Sequence, residues 1–311
     1  MSNLHGIIPI YKESGMTSHD VVYRVRRITG AKKVGHTGTL DPDATGLLLI
    51  AFGDATRISD YLIDQMKVYR AECCLGISTT TEDATGEVIE QISFKQPDIR
   101  QIKEVLNSFI GSYDQIPPMY SAIKVDGQPL YKLARKGEHH ARSPRVVEIY
   151  DIHLNDYSAQ AGRVIIDFTV SCSKGTYIRT LSVDIGKRLG LPAHMSKLER
   201  SASGKFNIDQ AYSLAELEQI FCEGELNDIL IPLNEALSEF SAIAVSDEVV
   251  VNSVYNGKQL FLDEITDAME NHQPVKILNE NNQLVALYHL TAENKFMPIK
   301  VFKYGGANGH N

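Results

Sequence analysis

Gly35-His36-Thr37-Gly38-Thr39-Leu40-Asp41-Pro42-Asp43-Ala44-Thr45-Gly46, running on into Leu47-Leu48-Leu49-Ile50, is the stretch on which the reading of the fold turns. Glycine lets a backbone bend sharply or approach another group closely. A residue before proline is driven out of the helical region into an extended conformation. Asp41 therefore sits on an irregular, stiffened turn that presents its side chain. Asp-Pro and Gly-rich clusters also mark ordinary loops, so taken alone the stretch reads equally as a turn or as a site.

Asp41-Pro42-Asp43-Ala44-Thr45 also fits the D-x-D-x-T pattern of haloacid-dehalogenase-like phosphohydrolases, in which the first Asp is the nucleophile. That Asp stands at the end of a buried parallel strand, so β-branched or large apolar residues should precede it. Here polar and flexible Gly35 to Thr39 precede it, and the apolar run comes after. The phosphohydrolase reading is set aside on that order.

The chain of 311 residues has room for one large or two ordinary domains. No apolar run approaches the roughly 18 residues of a membrane span, and Met1 to Gly6 lacks the layout of a signal peptide. Cys73, Cys74, Cys172 and Cys222 show no metal-ligand spacing, which fits reduced thiols in a cytoplasmic protein without structural zinc.

A net charge of −8 is unpromising for a nucleic-acid partner. The distribution says more. Residues 17–40, 121–145 and 174–205 are each net positive, so the remainder is strongly acidic. An acidic body with three basic segments suits a polyanion held on one face, although any single charged run is also what a solvated face looks like.

In chain order, Gly6 to Tyr11 reads as a strand. A helix follows, capped at Thr17 or Ser18, striped by Val21, Val22, Val25 and Ile28 and stopped by Gly30. Lys67 to Ile77 and Val88 to Phe94 read as strands across a Thr-rich turn, and Ile99 to Ile110 has helical spacing. The basic stretch to Pro144 reads as an excursion containing a short helix, Leu130 to Lys136, before strand character resumes over Val146 to Leu154. Arg163 to Cys172 is the clearest strand. It leads into a helix with Ile178, Leu181, Ile185 and Leu189 inward, whose start, beside Lys174 and Arg179, favours anions. Ala193 to Phe206 mixes Met195 and Leu198 with basic residues and is given no element. Val249 to Val254, Val275 to Leu278, Leu284 to Leu290 and Met297 to Phe302 read as short strands of a small β-barrel.

Five segments in order carry a resemblance that spans the chain. They are Gly35 to Pro42, Lys67-Val68-Tyr69, Thr79 through Asp83 to Gly86, Pro118-Met119-Tyr120-Ser121-Ala122, and Lys174-Gly175-Thr176-Tyr177-Ile178-Arg179. At these separations the sequence resembles the bacterial tRNA pseudouridine-55 synthases of the TruB type.

The resemblance implies an α+β (mixed α/β) fold: a catalytic domain on a largely antiparallel curved sheet over 1–235, with an RNA-clamping insertion at about 120–147. It also implies a PUA-like RNA-binding barrel over 236–304; a disordered tail is expected over 305–311. The implied reaction isomerises the T-loop uridine of tRNA to pseudouridine, with no cofactor, metal or nucleotide. The implied partner is the T-arm stem-loop of tRNA, with no membrane and no obligatory protein partner, and the chain is expected to be a cytoplasmic monomer.

By the same resemblance Asp41 is the catalytic carboxylate, acting through a covalent intermediate, and Arg179 is its partner. A neighbouring guanidinium lowers an aspartate pKa by roughly 1–3 units. Tyr69 stacks on the uracil and assists loss of the C5 proton. A uridine buried in a folded loop must be flipped out; His36 fills the space it vacates, and Tyr177 and Leu198 wall the pocket. Gly38 and Lys174 complete the substrate-binding set. One departure stands out: the family usually has proline after its first-motif lysine, whereas Lys12 is followed by Glu13 and Ser14, which should loosen that turn. The rival classes are a non-catalytic RNA-binding or RNA-folding protein on the same scaffold, the phosphohydrolase, and the guide-RNA-directed relatives.

Overall fold

Strict alternation over Arg163–Cys172 places Val164, Ile166, Phe168, Val170 and Cys172 in one core. The computed structural model describes residues 4–302, apart from 122, 126, 135, 138–139, 161–162, 261–273 and 292–294. In it this strand lies within a nine-stranded sheet. The order across the sheet is Gly6–Lys12, Thr45–Phe52, Ala193–Ser203, Lys67–Leu75, Arg163–Cys172, Arg145–Gln160 and Gly111–Gln115, with Val34–His36 and Phe206–Asn207 beside that path. Neighbours are antiparallel except where Glu199 and Arg200 run parallel to Thr45 and Gly46. The mixed, largely antiparallel α/β architecture is therefore as the resemblance implies.

Thr45–Phe52 is apolar on both faces because both are covered. Leu48, Ile50 and Phe52 enter the core beneath helices Ser18–Thr29 and Ile178–Arg188; Leu47, Leu49 and Ala51 enter a second core with Ala55, Ile58 and Leu62. Helix Ser18–Thr29 starts with a full capping box between Thr17 and Asp20 and ends at Gly30, whose φ of 66° is the left-handed conformation of a helix stop. Among the described residues no helix is long and apolar enough to cross a bilayer.

Two elements differ from the sequence reading. Ala193–Ser203 is a central strand, flanked on both sides; the buried, charged Arg200 hides its alternation. Glu248–Tyr255 is a helix, not a strand. Its valines suit strands, but the Asp247 carboxylate accepts from the N–H groups of Val249 and Val250 and starts a helical turn. Only Val254 on that helix is fully buried, and Val249 is 75% exposed. Replacing Val254 by Ala is expected to cost about 2 kcal/mol in urea unfolding. Replacing Val249 should change stability by no more than about 0.5 kcal/mol.

The C-terminal strands Ala242–Ala244, Val275–Leu278, Leu284–Leu290 and Phe296–Val301 form a four-stranded sheet in that order. It has a core of its own around Val254, Ile277, Val285 and Tyr288. Its other face is not separate: Leu278, Leu284, Leu287 and Phe302 share the second core with Leu47, Leu49 and Phe206. The Lys276 ammonium also donates to the Asn234 carbonyl at 3.1 Å. The tail expected over 305–311 lies outside the described residues.

Candidate active site

The loop from Thr37 to Ala44 joins strand Val34–His36 to strand Thr45–Phe52. Leu40 and Ala44 are buried and anchor it on either side of Asp41. The Ser18 hydroxyl is bonded to both backbone groups of Leu40, accepting from its N–H at 2.9 Å and donating to its carbonyl at 3.3 Å. The Pro42 carbonyl accepts from the Gly15 N–H at 3.0 Å and from Lys12 Nζ at 2.8 Å. The turn after Lys12 is thus tied to the loop rather than loosened by Glu13. Burial lowers the Lys12 ammonium to about 8, against the opposing pull of Asp43 and Asp41.

Gly46 closes the loop at a φ of +102°, and a Cβ there would lie 2.4 Å from the Arg200 carbonyl oxygen. Strain and clash together should make Gly46→Ala less stable by about 2–4 kcal/mol, read from its urea midpoint.

Arg179 opens helix Ile178–Arg188, and its side chain is only 6% exposed. Nε lies 2.9 Å from Asp41 Oδ2, and Nη2 donates to Oδ1 at 3.2 Å. The same guanidinium donates to the Thr81 carbonyl at 3.3 Å and to the Tyr120 carbonyl at 2.9 Å. One side chain therefore joins four of the five segments singled out in the sequence. The Asp41 side chain is crowded by protein yet remains 37% exposed, so it is reachable from outside.

A second carboxylate, which the sequence reading did not assign, faces the same arginine. Asp83 Oδ2 lies 3.9 Å from Arg179 Nε, while Asp83 Oδ1 accepts from the Thr81 and Thr85 hydroxyls at 2.6 Å each. The neighbouring Glu82 holds a left-handed φ of 64°, and its carboxylate accepts from the Thr180 hydroxyl at 2.7 Å. Consecutive residues of the Thr-rich loop thus grip consecutive residues of the helix.

This corrects one electrostatic expectation. The Asp41 carboxyl is raised, not lowered, from its ordinary value. Burial is the largest cause and Asp83 adds to it, so Arg179 offsets only part of the shift.

Tyr69 lies on Lys67–Leu75, half-buried and packed on the main core, directly across from Arg200. Burial raises its phenol, and Arg200 opposes that shift. Leu198 is buried in the core that also holds Leu40 and Ala44. Tyr177 precedes the Arg179 helix, its backbone clasped by Gln115, which accepts from its N–H at 2.8 Å and donates to its carbonyl at 3.0 Å. Burial raises the Tyr177 hydroxyl, with Asp41 among the nearby charges. The His36 ring is edge-on to His19 at 5.3 Å, and burial pushes it down to about 4. Its Nδ1 is buried without a protein partner. Gly38 adopts a φ of +114° against Arg200. Lys174 stands apart: it is exposed and pairs with Asp64 at 2.7 Å rather than with a member of the Asp41 cluster. No sequence signal marked Arg200, since a buried arginine reads like any other basic residue.

Residues 26–178 match the family model described as TruB family pseudouridylate synthase (N terminal domain), and 179–238 match the tRNA pseudouridylate synthase B C-terminal domain. The chain is 41% identical over 303 residues to tRNA pseudouridine synthase B of Staphylococcus saprophyticus, covering 96% of this chain and 99% of that one. It is 44% identical over 303 residues to the protein of the same name from Staphylococcus haemolyticus, with the same coverage. Among solved structures it resembles a chain of an H/ACA RNP bound to a substrate RNA containing 2′-deoxyuridine (TM-score 0.72, 25% identity, 96% of this chain and 86% of that one). It also resembles a chain of a Cbf5-Nop10-Gar1 complex (TM-score 0.72, 27% identity, 96% and 84%).

Proposed function

The chain belongs to the TruB family of pseudouridylate synthases, and from that we propose a specific reaction: isomerisation of the T-loop uridine of tRNA, with Asp41 as nucleophile. That it is a tRNA pseudouridine synthase follows from its family and its relatives; the position of the uridine and the roles of the residues are our reading. The observation that supports them best is the Arg179 fork on Asp41, made by a buried guanidinium that also holds Thr81 and Tyr120.

In the reaction the N1–C1′ bond breaks, a C5–C1′ bond forms, the C5 proton leaves and N1 takes up a proton. A covalent bond to Asp41 divides that exchange into easier steps. Tyr69 stacks on the everted base and helps remove the C5 proton, with Leu198 and Tyr177 as walls. Neutral His36 fills the gap left in the RNA, so its loss should cost less activity than that of Asp41. Lys174 and the other basic residues contribute charge for the T-arm, while the segment at about 120–147 clamps it. The C-terminal unit grips RNA as a PUA-like domain, and the chain acts in the cytoplasm as a monomer without a protein partner.

Tritium release from tRNA carrying 5-³H-uridine tests this reading. One equivalent per tRNA is expected, insensitive to chelator and lost when the T-loop uridine is replaced by cytidine. Chelator-sensitive phosphate release instead would favour the phosphohydrolase, and RNA binding without tritium release the non-catalytic class.

A further inference from the structure

Arg200 is the largest fully buried side chain among the described residues, 2% exposed on a central strand. Among those residues no carboxylate lies within ion-pairing distance of it, so its burial is not explained by a salt bridge. An unpaired buried cation is costly unless its donors are used. Two of them are used on the Asp41 loop and on the strand that leaves it. Nε donates to the Leu47 carbonyl at 2.8 Å and Nη2 to the Gly38 carbonyl at 3.2 Å. Those two residues bracket the loop that presents Asp41.

Both glycines at these ends answer to the same arginine. Gly46 runs beside it in parallel register, with no room for a Cβ against the Arg200 backbone, and Gly38 turns its carbonyl toward the guanidinium at a φ closed to other residues. Across the sheet, on the neighbouring strand, Arg200 is opposite Tyr69.

We infer that Arg200 is a positioning residue: from inside the sheet its guanidinium draws the two ends of the Asp41 loop together and sets their place relative to Tyr69. This rests on the reading of Asp41 and Tyr69 given above. Lysine keeps the charge but lacks the rigid fork that reaches two carbonyls at once.

The test uses the full-length chain and two variants. In Arg200→Lys, backbone amides of residues 37–47 should exchange with deuterium about tenfold faster, with the rest of the chain unchanged. kcat for tritium release should fall roughly 30-fold while KM for tRNA stays within about threefold. Gly38→Ala leaves Arg200 in place but turns the carbonyl away, and should reproduce both effects. The double variant should lose no more than the worse single one, because both cut the same link. Wild-type exchange over 37–47 in folded Arg200→Lys, a KM effect without a kcat effect, or additive losses would each overturn the inference. If Arg200→Lys does not fold, Gly38→Ala with wild-type exchange and kcat overturns it equally. A wild-type protein that releases no tritium would sink the proposed function instead, and the exchange experiment would still decide the role of Arg200.

Discussion

Asp41→Asn is expected to lower tritium release by at least about a thousandfold, as loss of a nucleophile does when no neighbour can replace it, and to leave the protein folded. The amide matches the carboxylate in shape, and Arg179 keeps its bonds to Thr81 and Tyr120 and its neighbour Asp83. The pH behaviour sharpens the test. On the proposed mechanism Asp41 must be ionised to attack, and burial with Asp83 raises its pKa. The acid limb of the wild-type rate should therefore lie above the value near 3.9 of a free aspartate. The sign for stability follows from the same shift. A raised folded pKa means that the folded chain holds this proton more tightly than the unfolded one, so the group's stabilising contribution is lost as pH rises through the interval between the two values. At neutral pH the ionised carboxylate is a net cost, and Asp41→Asn should melt no lower than wild type. A variant that releases tritium normally would remove Asp41 from the mechanism; one that simply unfolds would contradict the account of its surroundings.

Arg179→Met should cost nearly as much activity, roughly a hundredfold or more, by a different route. It leaves Asp41 and Asp83 without the cation between them, so the acid limb should move to higher pH than in wild type. Removing one partner of a buried pair also costs stability, roughly 3 kcal/mol, and the Thr81 and Tyr120 carbonyls lose their donor as well. Arg179→Lys should restore part of the stability but little of the rate, since an ammonium cannot make the two-point contact with Oδ1 and Oδ2. Equal acid limbs in wild type and Arg179→Met would show that the guanidinium does not govern Asp41.

Much of this was legible in the sequence for identifiable reasons. The Asp41 loop announces itself through its glycines and Asp-Pro step, and strand Arg163–Cys172 through uninterrupted alternation. Helix Ser18–Thr29 is bounded by its own cap and stop. What stayed hidden depends on contacts between distant segments. Strand Ala193–Ser203 was obscured by Lys197, Glu199 and Arg200, and only the fold reveals that Arg200 points inward. Asp83 looked like one more polar residue in a Thr-rich turn until Arg179, nearly a hundred positions on, was brought against it. Glu13 and Ser14 after Lys12 read as a departure from the family, yet the Lys12 ammonium braces Pro42. The four valines around residue 250 misled because β-preference lost to a single capping carboxylate.

The second core bears on how this chain can be cut. Leu278, Leu284, Leu287 and Phe302 roof over the underside of the strand that carries Leu47 and Leu49. Amputation near residue 240 would strip that roof and bare an oily underside on the strand that leaves the Asp41 loop. The two halves behave less like beads on a string than like a lid glued to its box, and a shortened enzyme should clump before its chemistry could be assayed.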